Sequence, residues 1–244
     1  IRSLDIGGAE RQFIELVKHI DKSEFDVTVC TMYGGAQEEA LRSIPGIKYH
    51  NLHKTGRYDL YRFYKKYSLF LKKKNPDVIY SFLGEMNLFS LWCKPKRTKI
   101  IWGFRASNID LKQYGKISQA LFWLQKKFSP FADKIIANSK ASVTFHTGMG
   151  FDMRKSVVVP NGIDTDKFAR NPAKRAAFKE KYHLGESDIA IGMVARIDPM
   201  KGYTVAAHAA KKILAAHGNI TFFAIGTGDE KIKSVMIGID VETP

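Results

Sequence analysis

The chain of 244 residues carries 45% hydrophobic and 26% charged side chains, with 39 Lys and Arg against 24 Asp and Glu and a formal net charge of +15. That length and apolar content allow one large or two ordinary domains and exclude global disorder, and no window approaches the roughly 18 consecutive apolar residues of a membrane span. The 2 cysteines, Cys30 and Cys93, exclude a disulfide framework or a cysteine-held metal and point to a reducing, cytosolic compartment.

Short apolar runs alternate with longer amphipathic segments, the signature of β-α-β units around a parallel sheet and hence of an α/β protein. Residues 1–4 read as the tail of a strand, Gly7-Gly8 as a turn, and residues 10–20 as a helix with Phe13, Leu16, Val17 and Ile20 on one face. Strands are expected at 25–32 and 47–52, around a short helix at 37–43. A helix over 59–73 is expected to bury Leu60, Tyr64, Tyr67 and Leu71, with Arg62, Lys65, Lys66, Lys72 and Lys73 largely opposite them. Strands at 77–82 and 99–104, a long helix at 111–129, a strand at 134–138, a helix at 141–149 and a strand at 157–159 complete a first domain, residues 1–162. Pro160-Asn161-Gly162 is a turn cluster and hinge.

Residues 163–244 begin a second domain, with a helix at 174–182, a strand at 189–195, a helix at 203–217 and a strand at 221–225. At about 80 residues it falls short of a usual domain, so the chain reads as incomplete at its C-terminus. It also reads as trimmed at Ile1, which opens no signal peptide. The charge is uneven: residues 1–160 hold 27 basic and 14 acidic side chains, residues 161–244 hold 12 and 10. An acidic partner should therefore approach the first domain.

Several segments could carry chemistry. Gly7-Gly8-Ala9-Glu10-Arg11 lies between strand and helix, where glycines permit a sharp turn and a helix start aims N–H groups at an anion; glycine pairs also close ordinary β-α turns. In Ala195-Arg196-Ile197-Asp198-Pro199-Met200-Lys201-Gly202, two cations on a loop at the carboxyl end of a strand can close on one diphosphate, though a solvated loop is the plain alternative. Gly226-Thr227-Gly228-Asp229 follows a buried strand and could meet a nucleotide through its backbone. Asp164-Thr165-Asp166 is read as a turn and helix start rather than a metal motif, and His50, His53, His146, His183, His208 and His217 show no ligand spacing and are read as surface or partly buried.

Gly-Gly-Ala-Glu near the start, Ile136-Ala137-Asn138-Ser139, Pro160-Asn161-Gly162-Ile163-Asp164 with Phe168, the Arg196 and Lys201-Gly202 loop, and Gly226-Thr227-Gly228 stand in the order and approximate spacing of retaining glycosyltransferase family 4, which the chain resembles over essentially its whole length. The resemblance implies a GT-B fold of two Rossmann-like domains, with acceptor bound mainly by the first and nucleotide-sugar donor mainly by the second. It implies neither a metal ion nor a cofactor. Carried over by position, Arg196 and Lys201 would bind the donor diphosphate and offset leaving-group charge, Gly7 and Gly8 would lie near the phosphates and the transferred sugar, and Gly226 and Gly228 would lie by the nucleotide. Where many members have a His contacting that sugar, this chain has Trp102-Gly103-Phe104-Arg105-Ala106-Ser107-Asn108. Arg105 is a substitute cation, or it binds an acidic acceptor or pairs with a carboxylate.

The family also carries two Glu eight positions apart late in the second domain. No two Glu in this chain have that separation, so the resemblance implies sequence beyond Pro244 and little activity for these 244 residues alone. Glu85 and Asn87 follow the strand at 77–82, at the end of the sheet where an acceptor would bind; surface-loop roles are the alternative. The expected function is sugar transfer with retention, from a nucleotide sugar to a glycan or lipid-linked acceptor, in the cytoplasm and in contact with an anionic membrane surface through the basic first domain. A GT-B-like nucleotide-sugar epimerase, a phosphorylase and a non-catalytic glycan- or membrane-binding module are the competing readings. No nucleic-acid-binding signature is present.

Overall fold

The computed structural model describes residues 1–244 apart from 57, 108, 110, 112–114, 199–200, 229–239 and 243–244, with 240–242 described as backbone. The chain divides into two compact units, Ile1–Asp164 and Thr165–Pro244. In the first unit, β1 (Val27–Thr31) and β2 (Ile47–Asn51) pair in parallel, and β3 (Val78–Phe82), β4 (Lys99–Phe104), β5 (Lys134–Ala137) and β6 (Ser156–Val158) form a four-stranded parallel sheet in that order. Parallel neighbours require crossovers, and helices α1 (Gly8–His19), α2 (Glu38–Arg42), α3 (Leu60–Lys74), α4 (Gly84–Cys93), α5 (Lys116–Phe128) and α6 (Lys140–Gly148) lie in the connections. Since all four strands of the larger sheet run one way, the chain leaves Phe82, Phe104, Ala137 and Val158 at a single edge.

The elements depart from expectation in four places. Residues 1–4 join no ladder: the Arg2 carbonyl accepts from the Met32 and Tyr33 amides (3.1 and 2.9 Å) and the Leu4 amide donates to Gly34 (3.3 Å). With the Ile1 ammonium donating to the Cys30 carbonyl of β1 (3.0 Å), these bonds fasten the N-terminus to the end of β1 and the turn past it, and Ile1 and Leu4 are buried beside Phe13, Val17 and Phe82. They also explain a glycine pair that sequence reasoning passed over, because a Cβ on Gly35 would lie 2.2 Å from the Leu4 carbonyl carbon. The helix expected over 111–129 spans Lys116–Phe128 and runs on into a short 3-10 turn, Ser129–Phe131; residues 112–114 lie outside the described residues.

Third, α3 buries Phe63, Tyr67 and Leu71, with Phe70 packed alongside, while Leu60 and Tyr64 face solvent. The expected stripe chose the wrong neighbours at the first turn, where aromatic residues at 61, 63 and 64 fit several helical phases. Asn75 closes this helix in the left-handed region (φ 43°), and Lys72, Lys73 and Lys74 complement its C-terminal dipole. Fourth, α4 was not anticipated. Its residues Met86, Asn87, Leu88, Phe89, Ser90 and Cys93 are buried nearly all round, so it offers no amphipathic period to read.

The core beneath β4 and β5 gathers Ile100, Trp102, Phe104, Ile135, Phe151 and Met153. His146, expected at or near the surface, lies inside it at 2% exposure, stacked on Phe104 (4.2 Å between centroids, 11° between planes) and edge-on to Phe145 and Phe151. Its Nδ1 donates to the Ser142 carbonyl at 2.8 Å. Burial pushes its pKa below the ordinary histidine value, and the carbonyl bond only partly opposes this. The folded protein thus binds its proton less readily than the unfolded chain, and the stability held above the unfolded value of about 6.5 is lost as pH falls through the lower folded value. We expect His146→Phe to flatten the fall in melting temperature between about pH 7 and pH 5; an unchanged slope would show that His146 does not set it.

The second unit contains β7 (Ile189–Val194), β8 (Ile220–Ile225) and β9 (Asp240–Glu242) in one parallel sheet, with α7 (Pro172–Lys181) and α8 (Tyr203–Ala216). The Asn171 side chain accepts from the Lys174 amide at 2.9 Å and Pro172 opens the first turn, which starts α7 where an N-cap and a pre-set φ favour it. Phe178 and Tyr182 pack against Phe223 of β8 at 5.1 and 4.9 Å. Residues 165–168 form a turn, with no helix before Pro172, so the Asp164-Thr165-Asp166 segment starts no helix.

Candidate functional site

In the first unit, polar side chains converge on the carboxyl edge of the four-stranded sheet. Arg105 leaves the end of β4 and lays its guanidinium over the Phe82 ring, 4.5 Å from the centroid. One terminal nitrogen donates to the Tyr80 hydroxyl (2.8 Å) and the other to the Asn161 side-chain oxygen (3.1 Å), while Nε is buried and has no partner among the described residues. No carboxylate pairs with Arg105 among the described residues, so its charge is balanced only by neutral dipoles and a ring face and stays available to an anion. Burial raises the Tyr80 pKa against the opposing pull of the Arg105 charge, so the hydroxyl stays protonated.

The supporting contacts come from the segments the sequence singled out. Asn138 donates to the Arg105 carbonyl (3.3 Å), and Ser142 Oγ to the Ala106 carbonyl (2.8 Å), which pins the backbone that carries the cation. Ser139 accepts from the Ser142 amide and starts α6 directly after β5. Gln12 of α1 donates to the Gly162 carbonyl at 2.8 Å, so the Asn-Gly turn is held both by Arg105 and by α1. Phe13 meets Phe82 edge-to-face at 5.0 Å and links α1 to the ring under Arg105. Tyr80, Phe82 and Gln12 were not foreseen: the first two read as ordinary strand residues and the third as a polar helix position. Asn108, expected in this loop, lies outside the described residues.

The glycine corner is less open than expected. Gly7 is the N-cap of α1, and the Glu10 carboxylate folds back so that a Cβ on Gly7 would lie 2.1 Å from its Oε2. Gly8 has nothing within 4 Å of such a Cβ. A ligand anion at this helix start would displace the Glu10 carboxylate from the same dipole. Glu85 sits in the first turn of α4 with its carboxylate 3.8 Å from Arg2, which keeps it at the edge. Asn87 corrects the expectation: it is fully buried on α4, accepts from Ser81 Oγ (2.7 Å), and its amide nitrogen has no partner among the described residues, so it stands behind the edge rather than on it. Leu83, between β3 and α4, takes a positive φ of 70°, a strained conformation for a branched side chain at the same edge.

In the second unit, the loops after β7 and β8 continue the sheet past its strands. The Ala195 amide donates to Ile225 (3.1 Å), the Ile197 amide to Thr227 (2.9 Å), and Ile197 bridges to Gly228. A Cβ on Gly226 would lie 1.9 Å from the Ala195 oxygen and one on Gly228 2.0 Å from the Ile197 oxygen, so both positions require glycine for packing alone. The buried Tyr203 adds a hydrogen bond from its hydroxyl to Ala195 (2.6 Å). On this fastened loop Arg196 is exposed and pairs with Asp198 at 3.4 Å, and the Lys201 amide donates to the Asp198 carbonyl (2.9 Å). The Arg196 guanidinium and the Lys201 backbone thus both meet Asp198; Pro199, Met200 and Asp229 lie outside the described residues. Among the described residues no group of three or more His, Cys, Asp or Glu could hold a metal ion.

Two units of parallel strands, with Arg105 at the carboxyl edge of one and Arg196, Gly226 and Gly228 just past the strands of the other, define an α/β protein built on parallel sheets. The pattern of Glycosyltransferase Family 4 matches residues 6–167, and the chain belongs to that family. A D-inositol 3-phosphate glycosyltransferase from Geodermatophilus obscurus is 32% identical over 85 residues, which is 34% of this chain and 18% of that protein. Anabaena Alr3699/HepE, solved in complex with UDP-glucose, superimposes with a TM-score of 0.76 at 18% identity over 100% of this chain and 67% of its own. A glycosyltransferase from Rickettsia africae gives 0.71 at 18% over 99% and 66%. A UDP-GlcNAc 2-epimerase from Neisseria meningitidis gives 0.60 at 11% over 100% and 72%. At these identities the likeness shows the fold, which is of the GT-B type.

Proposed function

We propose that the protein transfers a sugar, with retention and without a metal ion, from a nucleotide-sugar donor to a glycan or lipid-linked acceptor. In this reading residues 163–244 belong to the donor-nucleotide side and residues 1–162 to the acceptor side. The observation that carries it is the fastened loop after β7, which presents Arg196 to solvent at the carboxyl end of a parallel strand within a family 4 chain. The UDP-glucose in the complex of Anabaena HepE supports a UDP-sugar as the first donor to try.

The acceptor hydroxyl attacks the anomeric carbon on the face the diphosphate leaves, and a phosphate oxygen of the departing group takes the hydroxyl proton. No strong side-chain base is needed. Arg196 and Lys201 offset the charge that grows on the diphosphate, and Arg105 supplies positive potential toward the transferred sugar or an acidic acceptor. Gly8, with open space at its Cβ position, lets backbone amides approach the donor.

Incubation of the natural gene product with UDP-sugars and candidate acceptors, with and without a chelator, tests this. Expected are an acceptor-linked product with the donor's anomeric configuration and a rate unchanged by chelation. Donor conversion without acceptor would favour the epimerase reading, which the Neisseria neighbour supports, and an inverted product would remove retention. Arg105→Ala is expected to lower kcat/KM about 100-fold with UDP affinity unchanged; wild-type kcat/KM would remove Arg105 from the reaction.

A further inference from the structure

The outer face of α3 combines exposed apolar side chains with an unopposed run of cations. Between Leu60 and Lys74 the sequence holds Arg62, three consecutive lysines at its end, Lys65 and Lys66, and no acidic residue. Phe63, Tyr67 and Leu71 face the core, so at 100° per residue Tyr61, Lys65, Leu69 and Lys72 fall together on the opposite face. Tyr61 is 70% and Leu69 66% exposed, and Tyr58, just before the helix, is 83% exposed. The Lys65 ammonium lies 4.7 Å from the Tyr61 ring centroid. A merely solvated helix face does not need two large apolar side chains at its centre, and a protein core cannot accept the lysines around them.

We propose that this face of α3 docks on an anionic lipid bilayer, with Tyr61 and Leu69 entering the interface and Arg62, Lys65, Lys72 and Lys73 meeting headgroup phosphates. Helices that lie in the interface plane have this composition, apolar or aromatic anchors framed by Lys and Arg. The neighbouring layer continues the character: α4 packs on both α3 and α5, and α5 presents an exposed Trp123 with Lys127 5.3 Å from its ring. Among the described residues no helix is long and apolar enough to cross a membrane, so the contact is peripheral. The inference rests on the lipid-linked alternative of the proposed acceptor and names the element that would bring the protein to it.

Co-sedimentation of the whole chain with vesicles of phosphatidylcholine, and of phosphatidylcholine with about one-third phosphatidylglycerol, tests it without any variant. Binding to the anionic vesicles alone, weakened by salt, is expected. Tyr61→Ser with Leu69→Ser, and separately Lys65→Glu with Lys72→Glu, are each expected to reduce that binding more than about tenfold at unchanged melting temperature, since all four side chains are exposed. Equal sedimentation with both vesicle types, absence of binding, or variants that bind like the parent would overturn the proposal. So would capture of a soluble polyanion that depends on the lysines but not on Tyr61 and Leu69. UDP affinity, measured on the same preparation, separates the two readings: retained UDP binding without vesicle binding removes the docking alone, and the reverse pattern upholds docking while removing the donor role.

Discussion

Replacing Arg196 and Lys201 together by alanine is expected to lower sugar transfer by at least about 1,000-fold, because loss of a single preorganised donor to a developing anion already costs about 100- to 1,000-fold. The two act on one diphosphate, so each single variant should lose nearly as much as the pair. The free protein offers a reason why the exchange is easy. Among the described residues Arg196 is held by Asp198 at 3.4 Å on an exposed loop, and such pairs contribute about 0–1 kcal/mol, so a diphosphate would take the guanidinium from the carboxylate at little cost. Because Arg196 and Lys201 are exposed, the double variant should melt where the parent does. Steady-state transfer rates with melting curves decide the matter: a well-folded double variant with parental rates would remove the diphosphate role from this loop.

Gly226→Ala is expected to destabilise the second unit by roughly 2–3 kcal/mol, the range for forcing extra volume into a packed site. The new Cβ would lie 1.9 Å from the Ala195 oxygen and 2.9 Å from its carbon. These are backbone atoms that cannot turn aside, so the bonds from Ala195 to Ile225 and from Ile197 to Thr227 must stretch. Gly8→Ala provides the contrast: its Cβ meets nothing within 4 Å, and alanine suits the first helical position at least as well as glycine. Its stability should stay within about 0.5 kcal/mol of the parent, while transfer falls if the backbone there approaches the donor. Hydrogen exchange at β7 and β8, read beside thermal unfolding, measures the first effect. Unchanged protection in Gly226→Ala would mean that the two loops are not clamped.

Much of the candidate site was legible because its parts are local. Arg105, Asn138, Ser139, Asn161 and Arg196 each close a strand or open a helix, and turn chemistry at such junctions is written in adjacent residues. Residues that touch across long separations were not legible. Tyr80 and Phe82 receive Arg105, and Gln12 ties α1 to Gly162, although nothing in their own neighbourhoods distinguishes them from sheet or helix residues. Asn87 was misplaced for the same reason: α4 is buried on nearly every side, so its polar residue looked like a loop residue after a strand.

The glycines show the division most clearly. Their positions marked two backbone turns in the one-dimensional string, but only the fold shows that Gly226 and Gly228 exist to let one loop lie against another, and that Gly7 is covered by Glu10 while Gly8 is open. The amino-acid order alone determined the alternation of strands and helices, the parallel sheets and the family, since these follow from hydrophobic period and from short motifs. The tertiary structure decided which side chains meet at the sheet edge, that His146 is buried, and which face of α3 is left to solvent. Contacts between residues far apart in sequence depend on packing of the whole unit, and no local pattern encodes that packing.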